Sequence, residues 1–211
     1  MKKVFIIALL FSVSSFALSL DQVRQDLYKK TANRDSSEIK IRTTINSVAG
    51  SQVVSVYLVQ KGKTKSYSEI KTSFLNQRTV VNGNRMKVID LNTKKFQILP
   101  YNGEPLEALS YVRTNPLDSG RWEEPRFVSE NLYSIKGEKG TLFYDAKKKQ
   151  IEKMESIDSE KNVLVTFAYD DEGNLKSMKT SVVSKGKETT VTTDILILRS
   201  SAKFPDRLFE F

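Results

Sequence analysis

The chain contains no histidine and no cysteine among its 211 residues. Without imidazole there is no histidine base and no histidine metal ligand. Without thiols there is no disulfide, no thiol nucleophile and no cysteine zinc site. An oxidising compartment permits disulfides without requiring them, so stability has to come from the core. Tryptophan occurs once and proline five times. Long apolar runs are scarce as well. The run from Val4 to Val13 falls well short of the roughly 20 residues that cross a bilayer. No later run is long enough either, so no stable membrane span is expected. No cofactor and no metal is expected from this composition.

Lys2 and Lys3 precede the early run, and Ser14, Ser15, Ala17 and Ser19 follow it. Charge, apolar stretch and small-residue exit in that order define a secretory signal peptide. Residues 1–19 are expected to be that signal. Cleavage after Ala17 and cleavage after Ser19 both put small residues at the two required positions. Residues 20–211 are then expected to form a single domain, a size that buries a real core. The expected location is the periplasm. No cysteine is available to carry a lipid, so the chain is not expected to be lipidated itself. The net charge of +9 becomes +7 without Lys2 and Lys3, from 32 basic minus 25 acidic residues. Such a surface favours anionic partners. The basic residues are scattered, and export argues against nucleic acid.

An amphipathic helix is expected first, with Leu20, Val23, Leu27 and Tyr28 at helical spacing. Ser19 and Gln22 have capping-box spacing. The period then changes to two. Ile39, Ile41, Thr43 and Ile45 alternate with polar residues, and Val54, Val56 and Leu58 form the next such face. Ser68, Ile70, Thr72 and Phe74 continue the pattern. Asn82-Gly83 is a hairpin signal between Val80-Val81 and Met86 to Ile89. Regular turns of this kind predict an antiparallel sheet curling toward a barrel. In the middle, Pro105 precedes Leu106, Leu109 and Val112 at helical spacing, and irregular chain is expected around Trp122. A long non-strand insertion of this kind suits a lid. Strands resume at Thr141 and continue to Leu198.

Motif tests remove most chemistry. Gly62-Lys63-Thr64 ends like a phosphate loop, but Tyr57 stands where its first glycine belongs. Ser-x-x-Lys occurs at Ser37, Ser68 and Ser184 without the partner motifs of a serine–lysine hydrolase. Asp170, Asp171 and Glu172 lack the terminal Glu of a calcium loop, since position 182 is Val182. Glu123 and Glu124 beside Trp122 are adjacent, and neighbours rarely face one site together. What remains is a binding surface. Ile39, Ile41, Ile45, Val54, Val56, Leu58, Phe74, Val80, Met86 and Val88 are expected to line the concave side of a curled sheet. Helical segments near the start and at Leu106 and Leu109 would cover it. Periodicity leaves open whether that side is a filled core or a greasy pocket.

Three stretches carry a family resemblance. One is the opening helix running into 39–45 (IKIRTTI). The second is 80–100 (VVNGNRMKVIDLNTKKFQILP), a strand, Asn-Gly turn, strand, Asp-x-x-x-Lys turn and strand. The third is the ending 204–209 (FPDRLF). Together they resemble the periplasmic lipoprotein carrier (LolA-like) superfamily. Met86-Lys87-Val88-Ile89 replaces the family's aromatic-rich segment after the glycine turn. The resemblance implies an α+β, mainly antiparallel fold: an incomplete, half-open β-barrel with helices covering its concave apolar face. It implies a non-enzymatic carrier whose cavity holds the acyl chains of lipids or lipoproteins. Inner-membrane donor and outer-membrane acceptor proteins would be its partners. The other reading is an envelope sensor or protein-interaction module on the same scaffold.

Overall fold

A computed structural model describes residues 18–31, 36–103, 116–157, 161–200 and 203–211. Helix α1 (Leu20–Thr31) opens it. The helix begins with a reciprocal capping box. The Ser19 hydroxyl accepts from the Gln22 N–H at 3.2 Å, and the Gln22 side chain accepts from the Ser19 N–H at 3.0 Å. Both donors would otherwise be orphaned at the helix start.

A meander follows: β1 (Ser36–Ser47), β2 (Gly50–Lys61), β3 (Lys65–Lys71), β4 (Asn76–Asn82), β5 (Arg85–Asp90) and β6 (Phe96–Pro100). After the insertion a second meander runs through β7 (Arg126–Ser129), β8 (Leu132–Gly137), β9 (Gly140–Asp145) and β10 (Gln150–Ile157). It continues through β11 (Lys161–Tyr169), β12 (Leu175–Ser184) and β13 (Lys187–Ser200). Among the described residues, 13 strands join one sheet, in the order β6-β5-β4-β3-β2-β1-β13-β12-β11-β10-β9-β8-β7. The first and last strands therefore meet in its middle. β6 and β7 are the two edges and do not pair with each other, so the barrel stays open.

Aspartates set several of the turns. Asp90 Oδ1 accepts the N–H groups of Asn92 and Thr93 at 2.8 and 3.1 Å. Asp145 repeats this with Lys147 and Lys148, at 2.9 Å each. Asp170 does so with Glu172 and Asn174 at 3.0 and 2.7 Å. Each side chain stands in for a backbone acceptor and fixes the chain reversal. The donated N–H bonds hold all three carboxyls below the usual aspartate range; for Asp145, burial opposes them and loses.

The face on which α1 lies is the inner face. Leu20, Val23 and Leu27 pack there against Ile135, Leu142, Tyr144 and Ile151, with Leu117 from the 3-10 turn Pro116–Asp118. Fully burying one such side chain contributes about 1.5–3 kcal/mol, so this cluster anchors the second meander. Ile39, Ile41 and Leu58 form a second inner cluster with Val56 at its margin.

The outer face carries the chain's end. The 3-10 turn Asp206–Phe209 lies on β3 and β4, with Phe209 fully buried. Asp206 bridges Lys61 at 3.0 Å and Lys65 at 2.8 Å. Two lysines donating to it hold its carboxyl down at about 2. Lys61 shares its side of β2 with Val59, which is fully buried, while Leu58 is buried on the inner side. The ending thus closes the back of the sheet.

The open antiparallel sheet agrees with the expected fold class. One difference matters. β7 and β8 occupy 126–137, ahead of Thr141, where strands are expected to resume. β7 is four residues long and exposed throughout, so it carries no alternation to read. Its turn into β8 uses Glu130 at φ +41° rather than a glycine. The expected second helical segment, with Leu106, Leu109 and Val112, lies outside the described residues. Among the described residues, α1 and Leu117 of the 3-10 turn cover part of the inner face.

Candidate functional site

Register carries one apolar face across the sheet. Ile45 pairs with Val191, Val191 with Thr180, Thr180 with Val165 and Val165 with Met154. Met154 pairs with Leu142, and Leu142 with Ile135 under α1. Paired residues share a face, so this row runs unbroken from the first meander to the helix-covered core. In the other direction Ile41 pairs with Val56 and Val56 with Ile70, while Ile39 pairs with Leu58 and Leu58 with Ser68. A bulge at Lys40/Ile41 inserts Leu196 into β13 and leaves it 54% exposed. Thr43 and Thr193 meet through their hydroxyls at 3.1 Å in the centre.

Burial along this face is uneven. Beneath α1, Ile135 and Leu142 are fully buried. Away from α1, Ile45, Val54, Val56, Met86, Val88, Val163, Val165, Met178, Val182 and Val191 are only half-buried. A completed core would bury such residues. Among the described residues, this face carries a half-buried apolar strip.

The residues expected on it divide as follows. Ile39, Ile41, Ile45, Val54, Val56, Leu58, Met86 and Val88 all share the inner face. Val80 does not. It pairs with Tyr67 and Lys87 on the outer face, and Val81 takes the inner position opposite Met86. The tight Asn82–Arg85 closure sets that register, and a one-residue offset exchanges faces. Phe74 lies outside any strand, 78% exposed, because Thr72 ends β3's pattern by accepting the N–H groups of Phe74 and Leu75 at 3.2 and 2.9 Å. Leu106 and Leu109 lie outside the described residues.

One end of the face forms a pocket of about 220 Å³. Gln60, Lys63, Thr64, Lys65, Ser66, Val81, Tyr101 and Gly103 line it. Gln60, Ser66 and Val81 are the inner residues of the rung beside the β2–β3 turn. Ser66 is 7% exposed and its Oγ has no hydrogen-bond partner among the described residues. The serine and basic turn residues were visible in sequence, but only the turn from β6 through Tyr101 closes them into a pocket.

On the outer face, polar groups from β13 to β4 bond one another. Tyr57 donates to Glu38 at 2.9 Å, and Arg199 bonds the same carboxylate at 3.2 Å. Tyr67 donates to Glu69, which also accepts two Arg78 N–H bonds at 2.9 and 2.7 Å. Burial, then the carboxylate partners, pushes both phenols up to about 12. Burial raises the Glu69 carboxyl, but the Tyr67 and Arg78 bonds outweigh it and hold the group below its ordinary value. These groups satisfy one another across β13, β1, β2, β3 and β4, which fits a solvated back rather than a reaction centre. The adjacent acids Glu123 and Glu124 are separated in role. Glu123 pairs with Arg126 at 2.9 Å, and Glu124 accepts the Leu20 N–H at 2.9 Å.

This open antiparallel sheet, with α1 against its inner face, has a LolA-like fold. The chain is similar over 92% of its length, and over 99% of the other, to a LolA superfamily protein from Nitrosomonas europaea, with a TM-score of 0.56 and 12% identity. It is similar to an outer membrane lipoprotein-sorting protein domain from Vibrio parahaemolyticus (TM-score 0.50, 8% identity, 89% of this chain and 94% of that one). A DUF1329 family protein from Desulfovibrio piger matches at TM-score 0.50 and 12% identity, over 90% of this chain and 97% of the other. No protein-family model matches the sequence, and no curated protein is significantly similar to it.

Proposed function

We propose that this protein is a non-enzymatic carrier of the periplasm, which holds the acyl chains of lipids or lipoproteins against the inner face and moves them between membranes. The observation that carries this reading is the half-buried apolar strip through Ile45, Val54, Val56, Val165 and Val191, beside a core that α1 has already completed. Burying acyl chains contributes about 0.8 kcal/mol per methylene. The self-satisfied outer face keeps a loaded protein in water. Residues 1–19 are its signal peptide. An inner-membrane donor and an outer-membrane acceptor complete the route. The lipoprotein-sorting likeness of the Vibrio domain supports the same direction.

The test is native mass spectrometry of protein purified from its own envelope, with lipid extraction beside it. Co-purifying acylated molecules, lost on Val56→Asp, are the expected result. A protein that leaves the envelope without lipid and takes up none from vesicles overturns the proposal.

A second reading rests on the sheet edges. β6 exposes Phe96, Ile98 and Leu99, and β7 exposes Phe127 and Val128. Exposed edges of this kind pair with other chains. An envelope sensor or interaction module would use them without lipid transport. Crosslinking in cells separates the two readings: a protein partner captured through β6 or β7 by lipid-free protein favours the module.

A further inference from the structure

The Ser66 hydroxyl is more than nine-tenths buried, lies in a pocket wall, and has no partner among the described residues. A buried polar group without a partner is costly, and a native fold that keeps one usually has a use for it. Lys63 stands on the same wall, exposed and without an ion pair among the described residues. Lys65 is there too, though Asp206 on the outer face engages its ammonium. Among the described residues, no carboxylate lines the pocket. Gln60, Thr64 and Tyr101 add further polar groups. A donor hydroxyl, an ammonium without a described ion pair and a wall free of acids among the described residues select an anion bearing several oxygens.

Size and position narrow this further. At about 220 Å³ the pocket lies below the roughly 300–1,000 Å³ of ordinary ligand clefts. It suits a headgroup. Leu58 and Val56 continue the inner side of β2 directly from Gln60. From Gln60 to Val54 the strand covers about 20 Å at about 3.3 Å per residue. A polar end seated at Ser66 therefore leaves its chain on the apolar strip.

We infer that this pocket binds the phosphate headgroup of an anionic amphiphile, with the Lys63 ammonium as one donor and Ser66 Oγ, which turns out of the wall by side-chain rotation, as the other. The inference rests on the carrier reading for the chain that follows the headgroup; the phosphate contact itself does not. The same chemistry would accept free phosphate, so the experiment carries both.

Purified full-length mature protein is titrated by calorimetry with lysophosphatidylglycerol and with the monoacylglycerol of the same acyl chain, both below their micellar concentrations. Inorganic phosphate is titrated separately. The same series is run on Lys63→Gln and Ser66→Ala, with thermal melts as the folding control. The expected result is about tenfold tighter binding of the phospholipid, a preference that each variant erases while monoacylglycerol affinity holds. Ser66→Ala should also melt no lower than the parent, since it removes an unpaired group; a structural serine would not behave so. Phosphate binding that both variants abolish, with neither amphiphile bound, keeps the anion site and overturns the carrier reading. Equal binding of both amphiphiles with no phosphate bound overturns the headgroup site and leaves the carrier. A preference that survives both variants overturns the assignment to Ser66 and Lys63. No binding of any probe overturns both.

Discussion

The backbone N–H of Leu20 donates to Glu124 Oε2 at 2.9 Å across 104 positions of sequence. The insertion thereby supplies a cap to the helix that opens the fold. Capping acceptors contribute about 0.5–2 kcal/mol, and a carboxylate there also meets the positive end of the helix dipole. Glu124→Ala is expected to cost about 1 kcal/mol in urea denaturation. Glu123→Ala removes only an exposed pair with Arg126 and should cost less than about 0.5 kcal/mol. Equal losses would show that the cap does not matter.

Gly140 has φ +148°, and a Cβ there would meet the Glu155 carbonyl oxygen at 2.3 Å. Backbone on the neighbouring strand has no rotamer to yield. Gly83 also has a positive φ, +63°, but a Cβ there meets nothing within 4 Å. Gly83→Ala should therefore cost about 1 kcal/mol, the ordinary left-handed penalty, and Gly140→Ala distinctly more. Chemical denaturation of both variants checks the order.

The fully buried Phe209 ties the chain's end to the outer face. Phe209→Ala is expected to cost about 3–5 kcal/mol, as large-to-small changes of buried aromatics do. Asp206 works at the surface and only under some conditions. Its folded carboxyl is held at about 2, against about 3.9 in unfolded chains. The contribution is present above the unfolded value and is lost as pH falls from about 4 toward 2. Limited digestion with an acid-active protease should release the ending faster over that interval, and Asp206→Asn should reduce that change.

Alkali should weaken the fold through its tyrosines. Burial raises Tyr57, Tyr67 and Tyr169 to about 12. Burial and Asp26, which accepts the phenol proton at 3.0 Å, push Tyr144 up as well. A folded value above the unfolded one, about 10, means stability is complete below pH 10 and falls as pH rises through 10 to 12. The urea midpoint should drop across that range, and phenolate absorbance should rise later in folded than in unfolded protein. Coincident titrations would refute this.

On the inner face, position decides the kind of damage. Leu142→Ala, beneath α1, should cost about 2–5 kcal/mol. Val165→Thr sits on the half-buried strip, should cost under about 1.5 kcal/mol, and should weaken acyl binding measured with a fluorescent fatty acid. A destabilised Val165→Thr with unaltered binding would mean the strip is ordinary core.

Much of this was legible in sequence for identifiable reasons. The Ser19–Gln22 box is local, and both of its bonds form. Asn82-Gly83 marks its hairpin because glycine takes the positive φ there. Strict alternation in β1 and β2 placed Ile39, Ile41, Val54 and Leu58 on one side. Val80 escaped because two adjacent valines offer period two no choice; only hairpin register assigns Val81 inward. β7 escaped because an exposed edge strand has no buried side to pattern. The anion pocket and the Glu124 cap join residues far apart in sequence, and no local rule reaches across such gaps.

Thr43 and Thr193 touch across 150 positions, where β1 and β13 form the central seam. That seam cannot zip until the final strand has been made. Contacts between such distant segments must close a very long loop first, which slows folding. Neither meander can finish the sheet alone, so the two halves become one sheet only when both ends of the chain are in hand.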